Sequence, residues 1–280
     1  TLGTMEQLAR YRGHFYNWYD TLTLQPMPPL YVSSVDSGNL AGHLLTLGAG
    51  LQGLADAPIV SPRVFDGLDD TLGVLAEALG RAADGRLAAL RQALEAARAA
   101  PPASLPGLAA AFAVLARSAA AVQDGIGAAL QGEDPQGEAR RWAQALIQQL
   151  RGAQDELEWL APWLLLAEPP AGLGSFPAEL TAAAGLPTLR GLASLDGALC
   201  PRVRARLDDE TAPARRAWLE AFLRSLAEGS ARARDRLSAL EALARRAGAM
   251  ACMDYEFLYD APRHLLRIGY NVQERRADAS

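Results

Sequence analysis

Residues 13–21 read Gly13-His14-Phe15-Tyr16-Asn17-Trp18-Tyr19-Asp20-Thr21, and they combine aromatic rings, an amide and a carboxylate in a chain otherwise rich in Ala, Leu and Arg. A second polar stretch, Val32-Ser33-Ser34-Val35-Asp36-Ser37-Gly38-Asn39-Leu40, follows a Pro-rich turn. A pyranose ring has apolar C–H faces and polar hydroxyl edges, so its pocket needs flat rings beside hydrogen-bonding groups. Residues 13–40, which we call the aromatic motif, therefore indicate a sugar-binding pocket.

Two carboxylates of the aromatic motif, Asp20 and Asp36, are the best placed to contact a ligand, because each lies beside aromatic residues or a helix start. Each has a structural alternative: Asp36 can cap the following helix, and Asp20 can hydrogen-bond the turn after it. Capping and sugar binding are compatible, since a helix N-terminus leaves N–H groups free. Tyr16, Trp18 and Tyr19 can stack on a sugar or pack in the core. In an irregular stretch their rings point in different directions, so we expect at least one to face the pocket.

Composition excludes several functional classes. Half of the 280 residues are apolar, which is enough for a sizeable core, and the net charge is −5 with every basic residue an Arg. Nucleic acid is therefore not an expected partner. Two cysteines and three histidines without metal-ligand spacing predict no disulfide framework and no metal site. The chain has no phosphate-binding glycine loop, no Rossmann fingerprint and no Gly-x-Ser-x-Gly elbow, and we expect no cofactor.

The longest uncharged run, residues 99–116, contains three prolines, so we expect no membrane span in this chain. Together with the isolated cysteines, this favours a soluble segment in a reducing, cytosolic setting. The chain ends in Asp278-Ala279-Ser280, which is typical of a helix N-cap, and we expect it to be a piece of a longer protein with an exposed apolar face where further helices would pack.

Leucines recur at steps of three and four along most of the chain and predict amphipathic helices. Residues 169–206 are richer in Gly and Pro, which favours turns and short helices, and a last long helix is predicted over 212–247 with a weak point at Gly229 and Ser230. The predicted stripes are Leu40, Leu44, Leu47, Leu51 and Leu54; Leu68, Leu72, Leu75 and Leu79; Leu87, Leu90 and Leu94; Leu108, Phe112, Leu115, Ala119, Val122 and Ile126; and Trp142, Leu146, Leu150, Leu157 and Leu160. Trp142, Trp159, Trp163 and Trp218 are expected to pack on such stripes.

Near the C-terminus, residues 255–270 predict a short β-hairpin. Tyr255–Tyr259 and Leu265–Tyr270 are apolar and partly aromatic, and Asp260-Ala261-Pro262-Arg263 between them is a turn sequence. The hairpin would bring Tyr270 and Asn271 close to the helix start at the end of the chain.

The aromatic motif closely resembles cyclic β-1,2-glucan synthases over Tyr11-Arg12-Gly13-His14-Phe15-Tyr16-Asn17-Trp18-Tyr19-Asp20-Thr21, Leu24-Gln25-Pro26 and residues 31–45. The tail agrees, since Met253-Asp254-Tyr255-Glu256-Phe257-Leu258-Tyr259-Asp260 and Ile268-Gly269-Tyr270-Asn271-Val272 are similar to a later segment of the same family. Leu22 departs from the family pattern, where a basic or polar residue is expected.

The resemblance implies a fold and a domain plan. In these bacterial membrane enzymes the motif opens a glucoamylase-like cyclisation domain, which is an (α/α)6-type barrel. We expect a mainly α chain with residues 1–56 starting that domain, 57–250 forming a helical bundle inserted into it, and 251–280 returning to it, truncated. The barrel would therefore be incomplete.

The resemblance also implies a function. The parent enzyme polymerises glucose from UDP-glucose and closes the chain by transglycosylation, and its catalytic carboxylates lie beyond this chain, so no catalytic residue is expected here. We expect contribution to glucan binding on the cytoplasmic side of the inner membrane, with the β-1,2-glucan chain and other domains of the parent as partners. The expected substrate-binding residues are Tyr16, Trp18, Tyr19, Asp20, Asp36, Asn39, Tyr270 and Asn271. The alternative is a non-catalytic helical scaffold module between catalytic domains.

Overall fold

The computed structural model describes residues 1–80, 85, 87–129, 137–174 and 186–278, with the side chains of 126–129 left out. These residues are mainly helical, as predicted, with small antiparallel sheets. The α-helices are α1 (Leu2–Gln7), α2 (Ser34–Gly53), α3 (Arg63–Leu79), α4 (Ala88–Ala99), α5 (Leu105–Ala129), α6 (Glu138–Leu160), α7 (Leu189–Ala193), α8 (Leu195–Asp208) and α9 (Pro213–Ala251). The strands are β1 (Arg10–Tyr11), β2 (His14–Phe15), β3 (Tyr31–Ser33), β4 (Tyr259–Asp260), β5 (Leu265–Leu266), β6 (Gly269–Asn271) and β7 (Arg276–Ala277).

The chain divides into two compact units. One comprises Thr1–Ala55 and Leu237–Ser280, which we call the terminal unit, and the other comprises Asp56–Arg236, which we call the helical unit. Helix α9 contributes its residues up to Arg236 to the helical unit and the rest to the terminal unit. The assignment of 1–56 and 251–280 to a glucoamylase-like domain, with 57–250 as an insertion, stays a prediction, as does the incomplete barrel.

The core of the helical unit is built from the leucine stripes. Helices α3, α5 and α6 pack most extensively, and the rings of Phe65 and Phe112 lie 5.9 Å apart between α3 and α5. Each fully buried leucine stabilises the unit by about 1.5–3 kcal/mol. Fully buried large side chains of this unit include Phe65, Leu72, Leu75, Leu87, Leu90, Leu94, Leu108, Phe112, Leu115, Leu150 and Leu157. The stripes of α3 to α6 are therefore confirmed with two exceptions: Trp142 at the start of the α6 stripe is exposed, and the side chain of Ile126 lies outside the described part.

The tryptophans of the helical unit differ from the prediction in part. Trp218 stacks on Phe222 at 5.1 Å and its Nε1 donates to the carbonyl oxygen of Ala167. Trp142 and Trp159, however, are each 37% exposed. Trp159 lies under the guanidinium of Arg236, 4.8 Å from the ring centroid, and this cation–π contact explains why a large ring is kept at the surface.

The predicted last long helix is confirmed, and α9 runs unbroken through Gly229 and Ser230. The expected weakening of its middle at these two residues stays a prediction. A Cβ atom at Gly229 would lie 2.6 Å from the carbonyl oxygen of Leu160 and 2.8 Å from Cζ3 of Trp163. Trp163 is buried and follows α6 in a short 3₁₀ helix, Pro162–Leu165. Only glycine therefore allows the end of α6 and the middle of α9 to approach this closely.

We expect Gly229→Ala to lower the free energy of unfolding by about 1–3 kcal/mol, because the methyl group overlaps backbone and an aromatic ring that cannot both withdraw. The control is Gly152→Ala in α6, where nothing lies within 4 Å of the new Cβ. It should stabilise the chain by up to about 1 kcal/mol through helix propensity. Urea unfolding followed by circular dichroism measures both. Equal effects of the two substitutions would contradict the close approach.

One helix in the described part of the chain, Leu105–Gly125, is long and apolar enough to cross a membrane by length and composition, with mean hydropathy 1.6. A third of its most apolar window is buried in the protein, at 33%. Core helices of soluble proteins pass the same test, so one such helix is weak evidence for a span. The expected absence of a span stays a prediction.

In the terminal unit, α2 has the predicted helix but not the predicted buried face. Of the five leucines in its stripe only Leu44 is buried, whereas Leu47 and Leu54 are exposed. Leu44 packs on Ala247 and Met250 of α9. The face that α2 buries also carries small residues such as Gly48, which allow the two helices to approach. Leu45, Leu47 and Leu54 are exposed, and the expectation that further helices would pack on such a face stays a prediction.

The predicted hairpin exists but is shorter. Strands β4 and β5 pair antiparallel at Tyr259 with Leu266 and at Asp260 with Leu265, whereas 256–258 form a 3₁₀ turn. Residues 269–271 leave the hairpin to form the middle strand of a second sheet in the order β3-β6-β7. In that sheet Val32 of the aromatic motif lies opposite Tyr270.

Candidate functional site

The start of α2 is capped by Ser33, so the alternative in which Asp36 caps this helix is wrong. The Ser33 hydroxyl accepts a hydrogen bond from the Asp36 backbone N–H at 3.1 Å. Serine is among the best N-cap residues because its oxygen satisfies a free helix N–H. The Asp36 carboxylate lies in the first turn, where the helix dipole favours negative charge. Because Ser33 is the cap, this carboxylate does not have to accept from a helix N–H.

Asn17 holds the aromatic motif against α2, and sequence reasoning missed it. Its Nδ2 donates to Oδ2 of Asp36 at 3.0 Å, its Oδ1 accepts from the backbone of Ser33 at 3.1 Å, and its own N–H donates to the Tyr31 carbonyl at 3.0 Å. These three hydrogen bonds fix the backbone next to Trp18. The available signal was an amide between two aromatic rings, which the sequence alone does not distinguish from a surface loop residue.

An open hollow of about 430 Å³ lies beside Asn17 and Asp36. We call it the first hollow. Trp18 is 48% exposed, which is unusual for so large a ring, and its side chain forms one wall. The first hollow thus offers an aromatic wall, an amide and a carboxylate to a ligand. Its lining residues are Phe15, Tyr16, Asn17, Trp18, Asp36, Ser37 and Leu40.

Of the eight residues expected to bind substrate, Tyr16, Trp18 and Asp36 line this hollow together. Tyr19 does not line it; its hydroxyl donates to the Ala9 carbonyl at 2.7 Å and accepts from the Tyr16 backbone at 2.9 Å. Burial raises the pKa of Tyr19. The Tyr19 hydroxyl therefore links the backbones of Ala9 and Tyr16.

Asp20 also serves the structure of the motif. Its Oδ1 accepts from the N–H of Leu22 at 2.9 Å, from the N–H of Thr23 at 2.7 Å and from the Thr23 hydroxyl at 3.0 Å. The hydrogen bonds from Thr23 and Leu22 lower the pKa of Asp20. This is the turn-bonding alternative that the sequence left open.

The other three expected residues do not line the first hollow. Asn39 is exposed one turn after Asp36 on α2. Tyr270 stacks on Tyr11 at 5.9 Å with an interplanar angle of 11°. Oδ1 of Asn271 accepts from the Glu274 backbone at 3.0 Å and closes the turn after β6. Tyr270 and Asn271 are thus committed to packing and to a turn.

Tyr31 lies behind Trp18 and is held by residues from the far end of the chain. Its hydroxyl donates to Oδ2 of Asp278 at 2.5 Å, and burial together with this hydrogen bond raises the pKa of Tyr31 to about 12. The rings of Tyr31 and Trp18 are 6.3 Å apart. A Cβ atom at Gly269 would lie 1.9 Å from the Tyr31 hydroxyl oxygen, so the ring occupies the space of the missing side chain.

Gly269→Ala should displace Tyr31 and lower the free energy of unfolding by about 1–3 kcal/mol through overpacking. Because Tyr31 supports Trp18, the tryptophan near-ultraviolet circular dichroism should change as well. Gly42→Ala in α2 is the control, since nothing lies within 4 Å of its new Cβ. A Gly269→Ala protein with unchanged stability and spectrum would show that Tyr31 does not rest on this glycine.

His14 links the aromatic motif both to α2 and to the C-terminal segment at Asp254. The sequence does not predict this role, because the histidine spacing bears only on metal binding. The ring is fully buried. Its Nε2 lies 2.7 Å from the Asp254 carbonyl oxygen, which only accepts, so Nε2 carries the proton. In the neutral ring Nδ1 then accepts from the Ser37 hydroxyl at 2.9 Å. Burial lowers the pKa of His14, in keeping with a neutral ring.

The pH dependence of stability follows from the lowered pKa of His14. The folded state prefers the neutral ring, so this stability is complete above the unfolded pKa of about 6.5 and is lost as the pH falls through that value towards the folded pKa. We expect the melting temperature to fall as the pH is lowered from about 7 to about 5.5. Below this range carboxylates also begin to titrate, so the effect of His14 is best measured within it. His14→Gln should lose this slope, and His43→Gln, which leaves His14 intact, should keep it.

An NMR titration of the His14 ring in the unmodified chain checks the same point even if His14→Gln does not fold. The ring should titrate below about 6.5. A His14 resonance that titrates above this value would contradict a buried neutral ring.

Comparison with curated proteins places part of the chain beside a known enzyme. Over 87 residues it is 46% identical to cyclic β-(1,2)-glucan synthase NdvB of Rhizobium meliloti (strain 1021). The aligned part is 31% of this chain but 3% of that enzyme, so the chain corresponds to a small portion of the relative's length. No protein-family model matches the chain.

The lining residues of the first hollow determine what chemistry it can offer a ligand. Among the described residues no group of His, Cys, Asp or Glu is arranged to hold a metal ion. What the site can offer is therefore stacking, hydrogen bonding and one carboxylate charge.

Proposed function

We propose that the chain is part of a cyclic β-1,2-glucan synthase and that its first hollow binds the glucan chain in the cyclisation domain of that enzyme. The observation that carries the proposal is the exposed Trp18 ring beside the Asn17–Asp36 hydrogen bond in one open hollow. The partial identity to a cyclic β-(1,2)-glucan synthase supports glucose as the sugar.

The chemistry of the hollow suits a neutral sugar. The indole face of Trp18 can cover the apolar C–H face of a glucosyl unit. Asp36 uses part of its acceptor capacity on Asn17, and its remaining lone pairs can accept from sugar hydroxyls in charge-assisted hydrogen bonds. Because Asn17 orients the carboxylate before the ligand arrives, little side-chain freedom is lost on binding.

The role we assign is binding and not bond making. Transglycosylation needs a pair of suitably spaced carboxylates, and in the first hollow Asp36 is the single acidic lining residue described. The catalytic groups would come from other domains or later segments of the parent polypeptide, which we place on the cytoplasmic side of the bacterial inner membrane.

The helical unit supports a second function. Its core is closed by its own leucine stripes, and its long helices present surfaces rich in arginine, glutamine and glutamate. Such a bundle suits a scaffold that holds neighbouring domains of the parent in place. Deleting residues 56–236 from the parent enzyme would then abolish ring formation without abolishing glucan binding.

Trp18→Ala should weaken binding of linear β-1,2-glucan about tenfold, or about 1.4 kcal/mol, because the stacking wall is lost. The matched control is Trp142→Ala, which removes another partly exposed tryptophan from the helical unit. Asp36→Asn should weaken binding by a smaller factor. Calorimetry measures affinity, and circular dichroism confirms that each variant is folded.

The proposal fails if the unmodified chain binds no β-1,2-glucan, or if Trp18→Ala binds as tightly as Trp142→Ala. An equal loss in both variants would point to a general effect on folding and would also count against the first hollow.

A further inference from the structure

A second hollow, of about 470 Å³, lies next to Trp18. It shares Asn17 and Trp18 with the first hollow, so the two hollows adjoin along this pair. The lining residues of the second hollow are Asn17, Trp18, Tyr19, Met27, Pro28 and Pro29.

The two hollows differ in chemistry. The first has the Asp36 carboxylate and the Ser37 hydroxyl, whereas the outer wall of the second is Met27, Pro28 and Pro29. Proline side chains have almost no rotamer freedom to lose on binding, and methionine adapts its shape to an apolar surface. The second hollow is therefore suited to the C–H face of a sugar, with few hydrogen bonds to its hydroxyls.

The wall of the second hollow is held in place by the turn that Asp20 organises. Besides accepting from Leu22 and Thr23, Asp20 donates its N–H to the Gln25 carbonyl at 2.9 Å. The Met27 N–H then donates to the Trp18 carbonyl at 3.0 Å. Asp20 thus organises the turn that holds the Met27 backbone next to the Trp18 backbone.

We propose that the second hollow is a second sugar subsite, so that the groove takes at least two consecutive units of a glucan chain. This inference rests on the proposed function of the first hollow and adds the length of ligand that is recognised. A single sugar fills one hollow and gains contacts on one side of the Asn17–Trp18 pair. A chain that fills both gains the Met27–Pro29 wall without losing translational freedom a second time.

The test is a series of ligands of increasing length: glucose, the β-1,2-linked disaccharide and longer linear β-1,2-glucan fragments. In the unmodified chain the affinity should rise about three- to tenfold when the second hollow is first filled, which is the range expected for one apolar stacking contact. Met27→Ala should remove most of that gain with ligand length. Leu22→Ala is the control, because Leu22 lies in the same loop, is 93% exposed and lines neither hollow.

Asp20 gives a second arm of the test. Asp20→Ala removes the acceptor of the turn and should reduce the gain with ligand length, whereas Asp20→Asn keeps an Oδ1 acceptor and should restore it. A residue that serves general stability alone would change the affinity for glucose and for longer fragments by the same factor.

The outcomes separate this inference from the proposed function. A gain with length that Met27→Ala removes and Leu22→Ala preserves supports the second subsite. Binding of β-1,2-glucan with no gain beyond glucose, or with a gain that Met27→Ala leaves intact, overturns the second subsite and leaves the first. Absence of any β-1,2-glucan binding overturns both.

Discussion

The terminal unit depends on the contact in which the Tyr31 ring occupies the space above Gly269. Tyr31 and Asp278 are 247 residues apart in sequence, and their hydrogen bond joins the aromatic motif to the end of the tail. The pairing of β3 with β6 places Ser33 opposite Gly269, so the same glycine lies at the start of α2. Since no other residue leaves room for the ring, this close approach sets the register of the sheet and the position of everything that Tyr31 supports.

Hydrogen bonds from two side chains of the aromatic motif connect the Tyr31–Gly269 contact to the two hollows beside Trp18. His14 joins Ser37 of α2 to the backbone of Asp254, and Asn17 joins Asp36 to the backbone of Tyr31. The His14–Ser37 hydrogen bond is buried, and losing one partner of a buried hydrogen bond costs free energy, so this bond specifies one arrangement more strongly than apolar contacts do. The Asn17 hydrogen bonds then hold the backbone next to Trp18 against the start of α2.

The sequence predicts the helical unit well and the groove in part, for a physical reason. Helices α3 to α6 follow from leucines at 3.6-residue spacing, because burial of one face is a local property of each helix. Asp20, Tyr19 and Tyr270 are expected from the sequence to contact a ligand, which stays a prediction, and the structure shows them in a turn, a backbone hydrogen bond and an aromatic stack. Their partners depend on loop geometry and on strand pairing across the whole chain, which no local pattern records. The same holds for Leu47 and Leu54, since their burial depends on what else packs against α2.

Most polar side chains beside the hollows hydrogen-bond the protein backbone, which leaves few of them to bind a sugar tightly. After Asn17, Tyr19 and Asp20 are assigned to the backbone, the hollows retain one carboxylate and one exposed indole as their main ligand contacts. A sugar hydroxyl that bonds to the protein gives up a hydrogen bond to water, so the net gain is small. One carboxylate and one indole therefore give weak binding to a single sugar unit. As the proposed second subsite, the adjoining apolar hollow would raise affinity through the length of the ligand, and a chain held weakly at several points could still slide. In the proposed role in a cyclic glucan synthase, weak binding along a groove would be of more use than tight binding at one sugar, because the two ends of one chain must meet.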